Sequence, residues 1–167
     1  MSRSDDLAAA FERTNAHLIE YVRGLDERQW LTPGVNSPIF QLGDEDEHRP
    51  VGTIAHHVAS AYQRSAQAIR MAVTGESIPP PSPGSAARHA GEHATPDQAE
   101  TIGLLETGGA EVAGVIRGLS DEQLDREATT FLGTTSVATF IERAVNFHPH
   151  WHLTSIQATF EPAASAT

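Results

Sequence analysis

The sequence predicts an all-α protein, a four-helix bundle with one long crossover between its second and third helices. Three observations carry that prediction. Four stretches repeat apolar residues at spacings of three and four, the period of a helix with one buried face. Residues that start and stop helices bracket each stretch. The longest segment without that period, residues 75–95, reads GESIPPPSPGSAARHAGEHAT and is rich in Pro, Gly, Ser and Ala.

The first helix is expected from about Ser4 to Arg23. Ser4 is its cap, Asp5 and Asp6 suit the positive end of the helix dipole, and Gly24 is the stop. Leu7, Phe11, Thr14, Leu18, Tyr21 and Val22 form the inward stripe. The second helix is expected from about Pro50 to Thr74, with Gly75 ending it. Its apolar face carries Ile54, His57, Val58, Ala61, Ala68, Ile69 and Ala72. His56 falls on a polar row with Thr53, Ser60, Gln63 and Gln67. Periodicity therefore turns His57 inward and His56 outward.

Residues 75–95 are long for a hairpin loop but suit a crossover along the bundle, joining two parallel helices. The third helix is expected to start at Thr95 and Pro96 and to bury Ile102, Leu105, Val112, Val115, Ile116 and Leu119. Gly108 and Gly109 weaken it by about 1 kcal/mol each relative to Ala and allow close packing. The fourth helix is expected from Thr135 or Ser136 to Phe160, with a bend at Pro149, which has no N–H for the Val145 carbonyl. An internal echo supports the partition. Arg23-Gly24-Leu25-Asp26-Glu27-Arg28-Gln29-Trp30 is matched by Arg117-Gly118-Leu119-Ser120-Asp121-Glu122-Gln123-Leu124, each ahead of a histidine-bearing helix.

A chain of 167 residues suits one domain, 1–167, with 161–167 as a flexible tail. Its 11 Lys and Arg against 22 Asp and Glu leave a net charge of −11. That balance opposes nucleic acid or an anionic membrane as partner. The N-terminus shows no signal peptide and no stretch is apolar enough to span a membrane, so a cytoplasmic protein is expected. With no cysteine, a transition-metal site must use His, Asp or Glu.

His148 and His152 stand four apart, which stacks two imidazoles on one helical face within reach of one ion. His57 approaches from another helix and completes a three-histidine site, the arrangement that leaves a position for water or substrate. Nine histidines also make chance pairs, and His89 with His93 in the crossover reads as one. His150 and His17 read as ordinary, and His48 in the acidic run DEDEH as part of a solvated loop.

The stretches Val51-Gly52-Thr53-Ile54-Ala55-His56-His57-Val58-Ala59 and His148-Pro149-His150-Trp151-His152-Leu153-Thr154-Ser155-Ile156 together resemble motifs of the DinB/YfiT-like metalloenzyme superfamily. That superfamily includes mycothiol-dependent maleylpyruvate isomerases and bacillithiol transferases. Its register selects His57, as periodicity does. Ser155, where the family usually has glutamine, Pro149 and the extra His150 depart from its pattern. The resemblance implies a divalent metal on His57, His148 and His152, a low-molecular-weight thiol cofactor, homodimers, and S-transfer or isomerisation. Zinc is the first choice of metal, with nickel, iron or manganese as alternatives. Two further readings are metal-dependent hydrolysis, with Glu142 or Glu111 as base, and a non-catalytic metal- or small-molecule-binding stress-response module. Trp30 and Trp151 are read as core, pocket or interface residues.

Overall fold

The computed structural model describes residues 2–39 and 46–161. Expectations for the tail beyond residue 161 lie outside the described residues. Helix α1 (Arg3–Arg23) is capped by Ser2, two residues before the expected cap, in a reciprocal box with Asp5. A one-turn α2 (Glu27–Trp30) follows, then α3 (Val51–Thr74), which ends at Gly75 in the left-handed conformation. Ahead of α5 (Gln98–Arg117) comes α4 (Ser85–Glu92), a helix within the segment read as the least structured. Asp97 caps α5, not Thr95. After α6 (Asp121–Asp125), strands β1 (Glu127–Thr130) and β2 (Gly133–Ser136) form an antiparallel hairpin pairing Glu127 with Ser136. This small sheet is an addition to the expected helices, favoured by its threonines and by Gly133 at φ 93° in the turn.

The internal echo has a structural counterpart. Asp26 with Gln29 opens α2, and Ser120 with Gln123 opens α6, through the same two-way capping contacts. The last bundle helix is irregular, but upstream of the expected place. α7 (Val137–Phe140) widens into a π-helical turn (Ile141–Asn146) before α8 (Phe147–Phe160) begins. Pro149 follows directly, and the Val145 carbonyl that its missing N–H would have met lies within the π turn.

The long helices pack as a bundle of mixed direction. Pairings of Ser4 and Glu12 with Arg117, and of Asn15 with Leu105, run α1 and α5 in opposite senses. Arg70 bonds Glu111, and Tyr62 packs on Gly108, so α3 and α5 rise together, as a crossover requires. The core between them holds Phe11, Leu18, Tyr62, Ile69, Leu105, Ile116 and Ile156, all nearly solvent-free. Gly109 permits the tightest approach. A Cβ there would stand 2.1 Å from Asn15 Nδ2, and Asn15 is the buried polar hinge of the interface. It donates to the Leu105 carbonyl at 3.0 Å and accepts from the Tyr62 hydroxyl at 2.7 Å. Trp30 is buried and its indole N–H donates to the Pro96 carbonyl at 2.8 Å. None of the described helices is long and apolar enough to cross a membrane.

Candidate metal centre

α3 and α8 bring His57, His148 and His152 together. One ring nitrogen from each lies within 4.8 Å of the others. The spacing of four puts His148 and His152 on one face of α8, with their Nε2 atoms 3.3 Å apart. Two donors about 2.05 Å from one tetrahedral ion are separated by about 3.3 Å, so this pair is already at the spacing of a shared metal. The His57 ring lies 5.0 Å from that of His152 and 5.5 Å from that of His148. His152 is fully buried, His57 nearly so and His148 partly. His150, on the other side of α8, is exposed against Phe147.

The acidic run contributes what periodicity did not show. Residues Asp46, Glu47, His48 and Arg49 alternate outward and inward, the two-residue period of extended chain ahead of a proline. His48 is exposed, as a solvated loop implies, and pairs with Asp46. Glu47 is completely buried instead. It accepts from His152 Nδ1 at 2.8 Å and from Arg49 at 2.8 Å. Burial alone would raise the Glu47 carboxyl, but the His152 hydrogen bond and the charges of His152 and Arg49 outweigh it and hold the group below its ordinary value. An ionised Glu47 only accepts, so His152 Nδ1 carries a proton and Nε2 is the atom that faces His148. This carboxylate–imidazole pairing orients metal-binding histidines.

Local contacts place Glu47. Its N–H donates to Asn36 Oδ1 at 2.9 Å, and Gly34 N–H to the Arg49 carbonyl at 2.9 Å. A Cβ at Gly34 would lie 2.6 Å from the Glu47 carbonyl oxygen, so only glycine allows the two segments to meet. The segment that carries Gly34 and Asn36 is anchored on α8, where Ser155 accepts from Ser37 N–H at 3.2 Å. The serine that departs from the family pattern thus helps to fasten the segment against which Glu47 rests.

Burial, and then the neighbouring His152 and His148, hold His57 far below its ordinary value. Burial likewise depresses His148. Both rings are neutral at physiological pH, the state in which imidazole is a ligand. His148 Nδ1 is shielded from solvent and has no hydrogen-bond partner. Two neutral imidazoles together with His152, backed by a carboxylate, fit a divalent ion with N-donor preference.

Two residues expected to be incidental are not isolated. His89 and His93 of the crossover segment lie with His56 in a second group whose ring nitrogens fall within 4.8 Å. His56 is only 9 % exposed, contrary to the outward reading, because α4 covers the polar row of α3. Thr53 on that row is fully buried, and its hydroxyl donates to the His93 carbonyl at 2.8 Å. Periodicity within α3 reports its faces, not what a later segment lays over them. The candidate bases sit elsewhere. Glu142 is exposed on the π turn, and Glu111 is exposed and paired with Arg70.

A helical bundle of mixed direction on which three histidines converge is a scaffold that could hold a metal ion. The chain belongs to the DinB superfamily, whose profile matches residues 10–156. Two solved structures share the fold. One is YfiT from Bacillus subtilis, described as "a probable metal-dependent hydrolase with an unusual four-helix bundle topology". It is 19 % identical with a TM-score of 0.71, over 95 % of this chain and 87 % of that one. The other is a mycothiol-dependent maleylpyruvate isomerase, 16 % identical with a TM-score of 0.66, over 98 % of this chain and 62 % of that one. No curated protein matches the sequence significantly.

Proposed function

We propose that this protein is a metal-dependent enzyme that uses a low-molecular-weight thiol, as an S-transferase or isomerase. His57, His148 and His152 hold the metal, with zinc preferred. The observation that carries this reading is the donor set itself: three imidazoles, one backed by buried Glu47, and no carboxylate among the described residues of the group. Such a set leaves positions for exogenous ligands. When bound, the metal supplies the charge that deprotonates a coordinated thiol and polarises an electrophile.

The choice of thiol over water rests on the surroundings. Hydrolysis calls for a general base beside the site. Glu47 is occupied by His152 and Arg49, and neither Glu111 nor Glu142 reaches the histidines. A thiol held by His57, His148 and His152 through a metal would need no protein base. The chain's own residues then have defined work. Glu47 orients His152, Arg49 holds Glu47, and the buried His57 and His148 keep the donors neutral. The likeness to a thiol-dependent isomerase agrees with this reading, and a cytoplasmic homodimer is part of it.

The test compares wild type with His57→Ala and with a His148→Ala/His152→Ala double variant, by elemental analysis and by thiol conjugation to a fluorogenic electrophile. About one metal per chain held by these three histidines and thiol-dependent turnover are expected in wild type, and both are lost in the variants. Full metal content and full activity in His57→Ala sink the proposal. Turnover of esters or amides that needs no thiol favours the hydrolase reading instead.

A further inference from the structure

We infer that His56, His89 and His93 form a second divalent transition-metal site, at the rim of the bundle, and that an ion there fastens α4 onto α3. Nothing in this inference requires the first site to be catalytic.

The geometry begins with α4. None of its residues is buried, so apolar packing does not dock it. What faces α3 is instead a pair of histidines four apart, His89 within the helix and His93 at its C-terminal cap. His89 Nε2 lies 2.9 Å from His56 Nδ1. The His93 ring lies 4.2 Å from that of His56 and 4.7 Å from that of His89. One nitrogen from each ring falls within 4.8 Å of the others. A separation of 2.9 Å is a hydrogen-bond length, and it is also about the distance between two cis donors on an ion with bonds near 2.05 Å.

Hydrogen bonding alone leaves this cluster incomplete. One contact joins two rings, His56 and His89, either of which can be the donor, and the Ser60 hydroxyl lies 3.4 Å and 3.5 Å from the same two nitrogens. Two ring nitrogens that face each other across 2.9 Å share only one proton, and the third imidazole converges on the same place, so the arrangement suits an ion as well as a hydrogen bond. The donor set, three imidazoles with no thiolate, selects zinc, nickel or copper over calcium or magnesium. The chain's net charge of −11 favours cation uptake in general.

The two groups adjoin. His56 and His57 are consecutive on α3, and the His89 ring lies 5.3 Å from that of His57. An ion in the outer group therefore holds α4 beside the inner one. His56 is nearly buried while His89 and His93 are partly exposed, so the outer group is the more open to solvent and exchanges its ion faster.

The experiment uses the full chain, stripped with chelator and titrated with Zn²⁺ alone by calorimetry in a non-coordinating buffer. Amide exchange over residues 85–93 is followed at each equivalent. Wild type is expected to take two equivalents, and His89→Ala/His93→Ala one. His148→Ala/His152→Ala is expected to take one, and the variant combining all four none. Exchange in α4 slows at least tenfold with the outer ion and not in His89→Ala/His93→Ala. The metal-free melting temperature of that variant should fall by only about 2–4 °C, since it loses the His56–His89 hydrogen bond and no buried side chain of α4. A single conserved change, His93→Gln at the rim, serves as the second probe and should weaken the outer equivalent at least tenfold.

One equivalent in wild type that His89→Ala/His93→Ala retains overturns the inference, as do two equivalents in His89→Ala/His93→Ala or exchange in α4 that ignores zinc. If His148→Ala/His152→Ala still takes two equivalents while His89→Ala/His93→Ala loses one, the inner site falls and the outer one stands.

Discussion

Replacing Glu47 with glutamine isolates the one buried carboxylate that supports the proposed centre. The substitution keeps volume and a hydrogen-bonding oxygen but removes the charge that fixes His152 as an Nδ1–H donor. Both partners of the Glu47–Arg49 pair are buried, with side chains 0 % and 6 % exposed, at 2.8 Å. Breaking one side of such a pair costs about 3–5 kcal/mol. Because glutamine retains shape and an acceptor, about 3 kcal/mol is expected. For a domain of this size that lowers the melting temperature of the metal-free protein by about 6–12 °C. Zinc affinity should fall as well. Loss of an outer carboxylate on a ligating histidine weakens binding about 10–100-fold, which is about 1.4–2.7 kcal/mol. Chelator competition measures the affinity and a thermal melt the stability. Glu111→Gln is the control, since its pair with Arg70 is half exposed and worth about 0–1 kcal/mol. Inner-site zinc affinity within twofold of wild type in Glu47→Gln would refute the argument that His152 is oriented by Glu47.

Other outcomes follow from the same contacts. Burial holds His57, His148 and His89 below the ordinary value of 6.5, His89 at about 4. The unfolded chain therefore binds more protons than the folded one below about pH 6.5, and stability falls as pH drops through that value. Melts of chelated protein between pH 8 and pH 5 should show a falling midpoint, and a flat or rising midpoint contradicts the burial of neutral rings. Gly109→Ala should destabilise by about 1–3 kcal/mol in denaturant melts, because its methyl displaces Asn15. Gly114→Ala on the same helix meets nothing within 4 Å and should stabilise by about 0.5–1 kcal/mol. Equal effects of the two glycine changes contradict the described packing of α1 on α5. Tyr62→Phe removes the hydroxyl that Asn15 accepts at 2.7 Å and should cost about 1 kcal/mol by the same assay.

The sequence by itself determined what depends on short range. Helical period and punctuation delimited α1, α3, α5 and the last bundle helix to within a few residues, although Ser2 and Asp97, not Ser4 and Thr95, are the caps. The spacing of His148 and His152 declared a shared face because one turn of helix is a local geometry. The parallel course of α3 and α5 followed from the length of the segment between them. Tertiary structure decided what depends on one segment covering another. Glu47 looked solvated within DEDEH, yet the Gly34 and Ser155 contacts press it against His152. His56 looked outward on its own helix, yet α4 lies over that row and delivers His89 and His93 to it. The π turn ahead of Pro149 also has no marker in a 3.6-residue period. Periodicity reads a helix against an undifferentiated core and solvent, whereas a site is made by the particular segment that returns to it from distant sequence.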